Sequence, residues 1–171
     1  MRAGYARHMH ISARPAVNAD VSRLVSLYRE MEKEQTARKP IWALTDGLDK
    51  RFDLSLFRAI ESDDSFVLAG EIDEATVGFI WSTIEPMLER ANGSRIGRMR
   101  LIYTEPEARG VGVGHVMLSE MMELLRLHGV HDFDAPVGPG QRAAKNFFES
   151  HLFAARSIIM YSSDPRDQDD D

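Results

Sequence analysis

Cysteine is absent from the 171-residue sequence, which excludes disulfides, a thiolate nucleophile and any cysteine-based metal site. No apolar run is long enough to cross a bilayer, so no membrane partner is expected. Arg2, Arg7, His8 and His10 near the start have no apolar segment behind them, and a secretory signal is not expected either. A lysine/arginine cluster is also missing. The formal net charge is −6, but residues 164–171 hold five Asp and one Arg, a net of −4, which leaves −2 for the rest. A near-neutral body argues against nucleic acid as a partner. The expectation is a cytoplasmic protein with one domain over residues 1–163 and an acidic, disordered tail over 164–171. No repeat or linker is visible, and the sequence leaves open whether chains form a homodimer.

What is present is an alternation of strand and helix patterns. His10 to Arg14 reads as a strand stopped by Pro15. Asn18 or Asp20 can cap a helix with Val21, Leu24, Val25, Leu27, Tyr28 and Met31 at helical spacing. The charged run Arg29 to Lys33 reads as its solvated face. Thr36 to Asp49 reads as a loop carrying Trp42, which faces either a substrate or the core, and Asp53 to Ile60 as a short helix with Leu54, Phe57 and Ile60 on one side. Ser65 to Glu71 and Thr76 to Ile84 form a hairpin turned at Asp73-Glu74, and Arg98 to Thr104 is the next strand. Val113, Met117, Leu118, Met121, Leu124 and Leu125 mark a long helix ended by Gly129. Val130 to Val137, Gln141 to His151 and Ala155 to Tyr161 complete the order as strand, helix and strand. The whole predicts an α/β (α+β) sheet with mixed strand directions.

The most informative stretch is Ile102 to Gly114, a strand, a turn at Pro106, and alternating glycines that open a helix. Such a helix start offers free N–H groups and the positive end of the macrodipole, and glycine lets an anion approach. Arg109 adds a full charge there. Gly110, Gly112 and Gly114 fit neither a dinucleotide fingerprint nor a P-loop. On their own they specify an anion cradle and no more.

In context, Arg109-Gly110-Val111-Gly112-Val113-Gly114 resembles the Arg/Gln-x-x-Gly-x-Gly/Ala signature of the GNAT superfamily of acetyl-CoA-dependent N-acetyltransferases. Leu101 to Pro106 resembles that family's fourth strand and turn. Val137, Gln141, Ala144, Phe147, Phe148 and Phe153 follow its closing strand–helix–strand pattern. The resemblance runs from about His10 to Ser162. It implies a mostly antiparallel mixed sheet flanked by helices, with a splay between the fourth and fifth strands. It also implies acetyl-CoA as co-substrate, with its pyrophosphate on Arg109, Gly110, Val111, Gly112, Val113 and Gly114. Ile102, Tyr103 and Thr104 would lie along the pantetheine arm, with Gln141 and Phe148 also beside the cofactor. A backbone N–H of the strand would polarise the thioester carbonyl. The reaction implied is direct attack by an amine acceptor, helped by proximity.

Four positions depart from the family's pattern. The tyrosine that often protonates the leaving thiolate is Phe148, and the glutamate near the start of the fourth strand is about Arg98. The usual Asn before the last helix is Gln141, and the Gly before Phe153 is Leu152. Asp134, Tyr103 and Tyr161 are the candidate catalytic substitutes, each also readable as an ordinary strand or packing residue. Glu105 and Glu107 read as solvent-facing. His128 and His131 read as helix-end residues, and no metal site is expected. The alternative to a transferase is a non-catalytic acyl-CoA-binding or regulatory module.

Overall fold

The structure, a computed structural model, describes residues 9–38, 48–49, 51–87, 93–138 and 140–160. The chain packs as two units, Met1–Gly138 and Pro139–Asp171.

The first unit is built on a five-stranded sheet in the order β1-β2-β3-β4-β5. Its strands are β1 (Ile11–Pro15), β2 (Ser65–Ile72), β3 (Ala75–Pro86), β4 (Arg95–Thr104) and β5 (Asp132–Asp134). Neighbours from β1 to β4 are antiparallel, whereas β5 runs parallel to β4. Among the described residues this unit has three α-helices, α1 (Val21–Arg38), α2 (Phe52–Glu61) and α3 (Val113–Leu127). Asp73 and Glu74 turn the β2–β3 hairpin with φ of 48° and 68°, the mirror-image turn that matches strand twist.

Strand side chains alternate between faces, and here the two faces meet different helices. Val67, Phe79 and Tyr103 join Leu24, Leu27, Tyr28, Met31, Leu56 and Ala59 in one core with α1 and α2. The opposite face presents Gly70, Gly78 and Gly97 to α3. A Cβ at Gly70 would lie 2.5 Å from Met117 Sδ, and one at Gly78 would lie 3.1 Å from Met117 Cε as well as 2.6 Å from the Tyr103 carbonyl oxygen of β4. Both glycines therefore let α3 sit closer to the sheet than a side chain permits. The helix ends at Gly129 (φ 74°), where Gly129 N–H donates to Arg126 O and Val130 N–H to Leu125 O. That is a Schellman close, and its Leu125 and Val130 are both buried.

Several expectations change. Residues 36–38 continue α1 instead of opening a loop. Trp42 lies outside the described residues. In α2 Leu56 and Ala59 are buried and the expected Phe57 and Ile60 pack against the same core partly buried, but Leu54 is exposed, because the core lies on the side of β2. Asp20 does not cap α1; its carboxylate accepts the Val17 N–H and both outer nitrogens of Arg14, which also holds Glu71 of β2. β4 starts at Arg95, three residues early. β5 shrinks to three residues, since Val130 is taken by the helix close and Pro136 has no N–H for a ladder. Glu105 is not free in solvent but pairs with Arg23.

The second unit contains α4 (Arg142–Ser150). It closes with the same pair of bonds as α3, Leu152 N–H to Glu149 O and Phe153 N–H to Phe148 O. Here Leu152 occupies the left-handed position, at φ 67°. Phe148 packs against Phe147 and Phe153, each at a centroid distance of 5.2 Å. Residues 155–160 form no strand: no ladder partner satisfies their backbone among the described residues.

Candidate active site

The site begins where β4 and β5 separate. β4 pairs with β3 from Arg95 to Thr104 but with β5 only at Ile96, Gly97 and Arg98. From Met99 onward its second edge has no strand partner among the described residues. The β3–β4 register also shifts there: Trp81 faces Leu101 and Ser82 faces Met99, so Arg100 is the extra residue of a bulge. A bulge and a parting strand together leave backbone hydrogen-bonding groups along one open edge.

That edge leads into the glycine loop. After the turn at Pro106–Ala108, Gly110 has φ 80° and Gly112, the N-cap of α3, has φ 106°. Both values suit glycine. No side chain caps α3 and its first turn holds no acidic residue. Its first helical bond runs from Val116 N–H to Gly112 O at 3.0 Å, after the N–H groups of Val113 and Gly114. A Cβ at Gly110 would meet nothing within 4 Å, so the space over the loop is open. Val111 is exposed, whereas Val113 is buried and anchors the turn. Open space, positive φ and an uncapped helix start fit a diphosphate.

Arg109 is exposed but paired within the chain. Its Nε donates to Thr104 O at 2.8 Å, and one Nη donates to both Glu34 oxygens at 2.9 and 3.0 Å. The guanidinium also lies 5.4 Å from the Tyr103 ring centroid. Tyr103 O–H donates to the same Glu34 carboxylate at 2.8 Å. Burial and the Glu34 charge push the Tyr103 phenol well above its ordinary value, so it holds its proton at neutral pH. Glu34 is the residue that the charged run Arg29 to Lys33 did not announce. It extends the buried stripe Leu24, Leu27, Met31 at the same spacing, and a carboxylate on such a stripe is the signal.

At the other end of β4, Arg98 Nε and Nη2 hold Asp134 at 3.0 and 2.9 Å, and Nη1 holds Glu85 at 2.8 Å. Arg100 also holds Glu85, at 2.9 Å, and lies 5.5 Å from the Trp81 ring centroid. Carboxylates thus reach position 98 from both neighbouring strands. Asp134 and Arg98 form the last residue pair before β4 and β5 part.

The remaining candidates are placed as follows. Ile102 and Thr104 lie on the open stretch of β4. Gln141 precedes α4 and Phe148 lies within it, both in the second unit. Tyr161 lies outside the described residues. His128 is at a helix end, its Nδ1 2.9 Å from Leu124 O. No helix among the described residues is long and apolar enough to cross a membrane.

Comparison with known proteins now bears on this geometry. The model of the acetyltransferase (GNAT) family matches residues 24–152. The chain is similar to a mycothiol acetyltransferase of Cellulomonas flavigena, with 27% identity over 116 residues, covering 63% of this chain and 33% of that protein. A mycothiol acetyltransferase of Thermobispora bispora gives 30% over 86 residues, covering 50% and 29%. The chain thus spans about a third of the length of these curated relatives. Among solved structures, aminoglycoside N-acetyltransferase AAC(6')-Iy in complex with CoA aligns with a TM-score of 0.73 at 14% identity, covering 94% of this chain and 98% of that one. Ribosomal-protein-alanine N-acetyltransferase from Brucella melitensis biovar Abortus 2308 gives 0.67 at 14%, covering 91% and 99%. These two share the fold.

Proposed function

The chain belongs to the acetyltransferase (GNAT) family, and on that premise we propose that it transfers the acetyl group of acetyl-CoA to a primary amine. The observation that carries this reading is the open edge of β4 running into an uncapped, glycine-lined helix start. Backbone N–H groups of Gly110 to Gly114 would hold the pyrophosphate, and the stretch from Met99 to Thr104 would line the pantetheine arm. Bound acetyl-CoA supplies an electrophilic thioester: its C–S bond breaks as the amine's C–N bond forms, and the proton lost by nitrogen goes to solvent or the departing thiolate. The chain's own part is to hold the two reactants together and keep the edge donors aimed at the reacting carbonyl.

Of the two described catalytic candidates, Asp134 pairs with Arg98 at the vertex of the splay and is read as an acceptor-side group. Tyr103 is read as a positioning residue, because its hydroxyl is already given to Glu34. A cytoplasmic setting belongs to the same proposal. Calorimetry and thermal shift with acetyl-CoA test the cofactor half. Thiol release across a panel of amines, peptides and polyamines tests transfer. No binding at high micromolar acetyl-CoA overturns the reading.

A second reading, a non-catalytic acyl-CoA-binding module, is favoured by two observations. Phe148 has no proton to give, and Arg98 stands where the family pattern has a base. Cofactor binding without thiol release from any amine would select it.

A further inference from the structure

The glycine cradle is held less firmly than the chain on either side of it. The turn before it is bonded in series: Glu105 N–H donates to Val77 O, Ala108 N–H to Glu105 O and Arg109 N–H to Pro106 O. After it, Gly112 O accepts the first helical bond of α3. Between these, among the described residues, no backbone hydrogen bond holds Gly110 or Val111. A loop without its own ladder has to be ordered when a ligand binds, and that ordering subtracts from affinity unless something else supplies it.

Arg109 is the last tied residue before this gap, and its side chain is tied across to α1. Its Nε donates to Thr104 O, and one Nη donates to both Glu34 oxygens. Glu34 also accepts the O–H of Tyr103, which is itself buried in the core with α1. α1 grips the start of the same turn as well, through Arg23, which pairs with Glu105 and donates from Nε to Thr76 O. The two grips are not equivalent. Glu105 keeps its backbone bond to Val77 without Arg23, whereas without Glu34 the Arg109 side chain keeps one hydrogen bond, to Thr104.

Arg109 also has donors left to give. A guanidinium carries five N–H groups on three nitrogens. Two of those nitrogens are engaged, and among the described residues the other Nη has no partner. The side chain is 42% exposed. It can therefore take a phosphate oxygen without releasing Glu34. Holding two nitrogens of a planar group fixes the plane, and with it the direction of the third.

We propose that Glu34 is a positioning residue for the cofactor: acting through Arg109, it orients the guanidinium and the root of the cradle toward the diphosphate of acetyl-CoA. This rests on the acetyl-CoA reading above and is independent of which amine accepts the acetyl group. Calorimetry with CoA tests it on the full chain, on Glu34→Ala, on Arg109→Ala and on the double variant, each well below its unfolding midpoint. Glu34→Ala is expected to weaken CoA fivefold or more. The double variant should bind within twofold of Arg109→Ala alone, because both changes remove the same contact. A purely structural role lowers the unfolding midpoint but moves neither the affinity nor this coupling. If Glu34→Ala does not fold, the same cycle is run with Glu34→Gln, whose loss should be at least twofold and absent once Arg109 is removed. A smaller loss overturns the proposal. Tighter binding does so too, and shows that Glu34 competes with phosphate for the guanidinium. Losses that multiply in the double variant overturn the route through Arg109. No CoA binding by the unsubstituted chain overturns the cofactor reading and this proposal with it.

Discussion

β4 carries an arginine–carboxylate assembly at each end, and the two are built for different purposes. At the paired end, Arg98 and Arg100 draw carboxylates from β3 and β5, and Glu85 is shared between them. Removing one partner there leaves another. At the open end, Glu34 of α1 receives both Tyr103 and Arg109, and Arg109 in turn grips the Thr104 carbonyl. One carboxylate ties a helix, a strand and the loop that follows it. The first arrangement is redundant and suited to exchanging partners; the second has a single hub and suits holding a backbone in place.

The largest test of this contrast is at the loop that the hub supports. Gly112→Val forces a β-branched residue to φ 106°, which costs about 1–2 kcal/mol or more in the left-handed region. Calorimetry should show acetyl-CoA affinity falling by about tenfold or more, and an unchanged affinity would mean the ligand does not use this loop. Next in size, Glu34→Ala should cost about 1 kcal/mol after allowance for its partial exposure. The unfolding midpoint should drop by about 2–4 °C for a chain of this size. A third test uses pH. Burial pushes the Tyr28 phenol up to about 12, and burial with Glu34 raises Tyr103 as well. Both tyrosines ionise first in the unfolded chain, near pH 10, so stability present below that pH is lost as pH rises above it. Urea midpoints at pH 8 and pH 11 should show the loss, and Tyr103→Phe should make it smaller. The smallest effect is expected at the redundant end. Asp134→Asn leaves Arg98 with Glu85 and should cost no more than about 0.5 kcal/mol. A larger loss than at Glu34 would reverse the comparison.

The two ends also differ in how far they could be read from sequence. The open end is made of backbone, and backbone needs local signals: Gly110, Gly112, Pro106 and the strand before them are contiguous, so the turn and the glycine-opened helix start are legible in one short stretch. The helices and the first four strands are legible for the same reason, each being written in its own periodicity. The paired end is assembled from Glu85, Arg98, Arg100 and Asp134, brought together by strand register and a bulge that no single segment encodes. Glu34 was hidden differently, as one acid next to a run of charges whose other members suggested a solvated face. The expected closing strand at 155–161 shows the opposite failure. Its Ile158, Ile159 and Met160 favour a strand locally, but a ladder needs a partner edge, and composition cannot supply one.

The seat of α3 on Gly70 and Gly78 has a consequence for how this protein would respond to mutation. The cradle is the first turn of a helix whose height above the sheet is fixed by two glycines and by Met117 between them. A library selected for altered cofactor affinity should therefore yield hits at Gly70, Gly78 and Met117, residues in the layer between α3 and the sheet. On the proposed reading, binding strength would be inherited from the thickness of the packing layer beneath the loop.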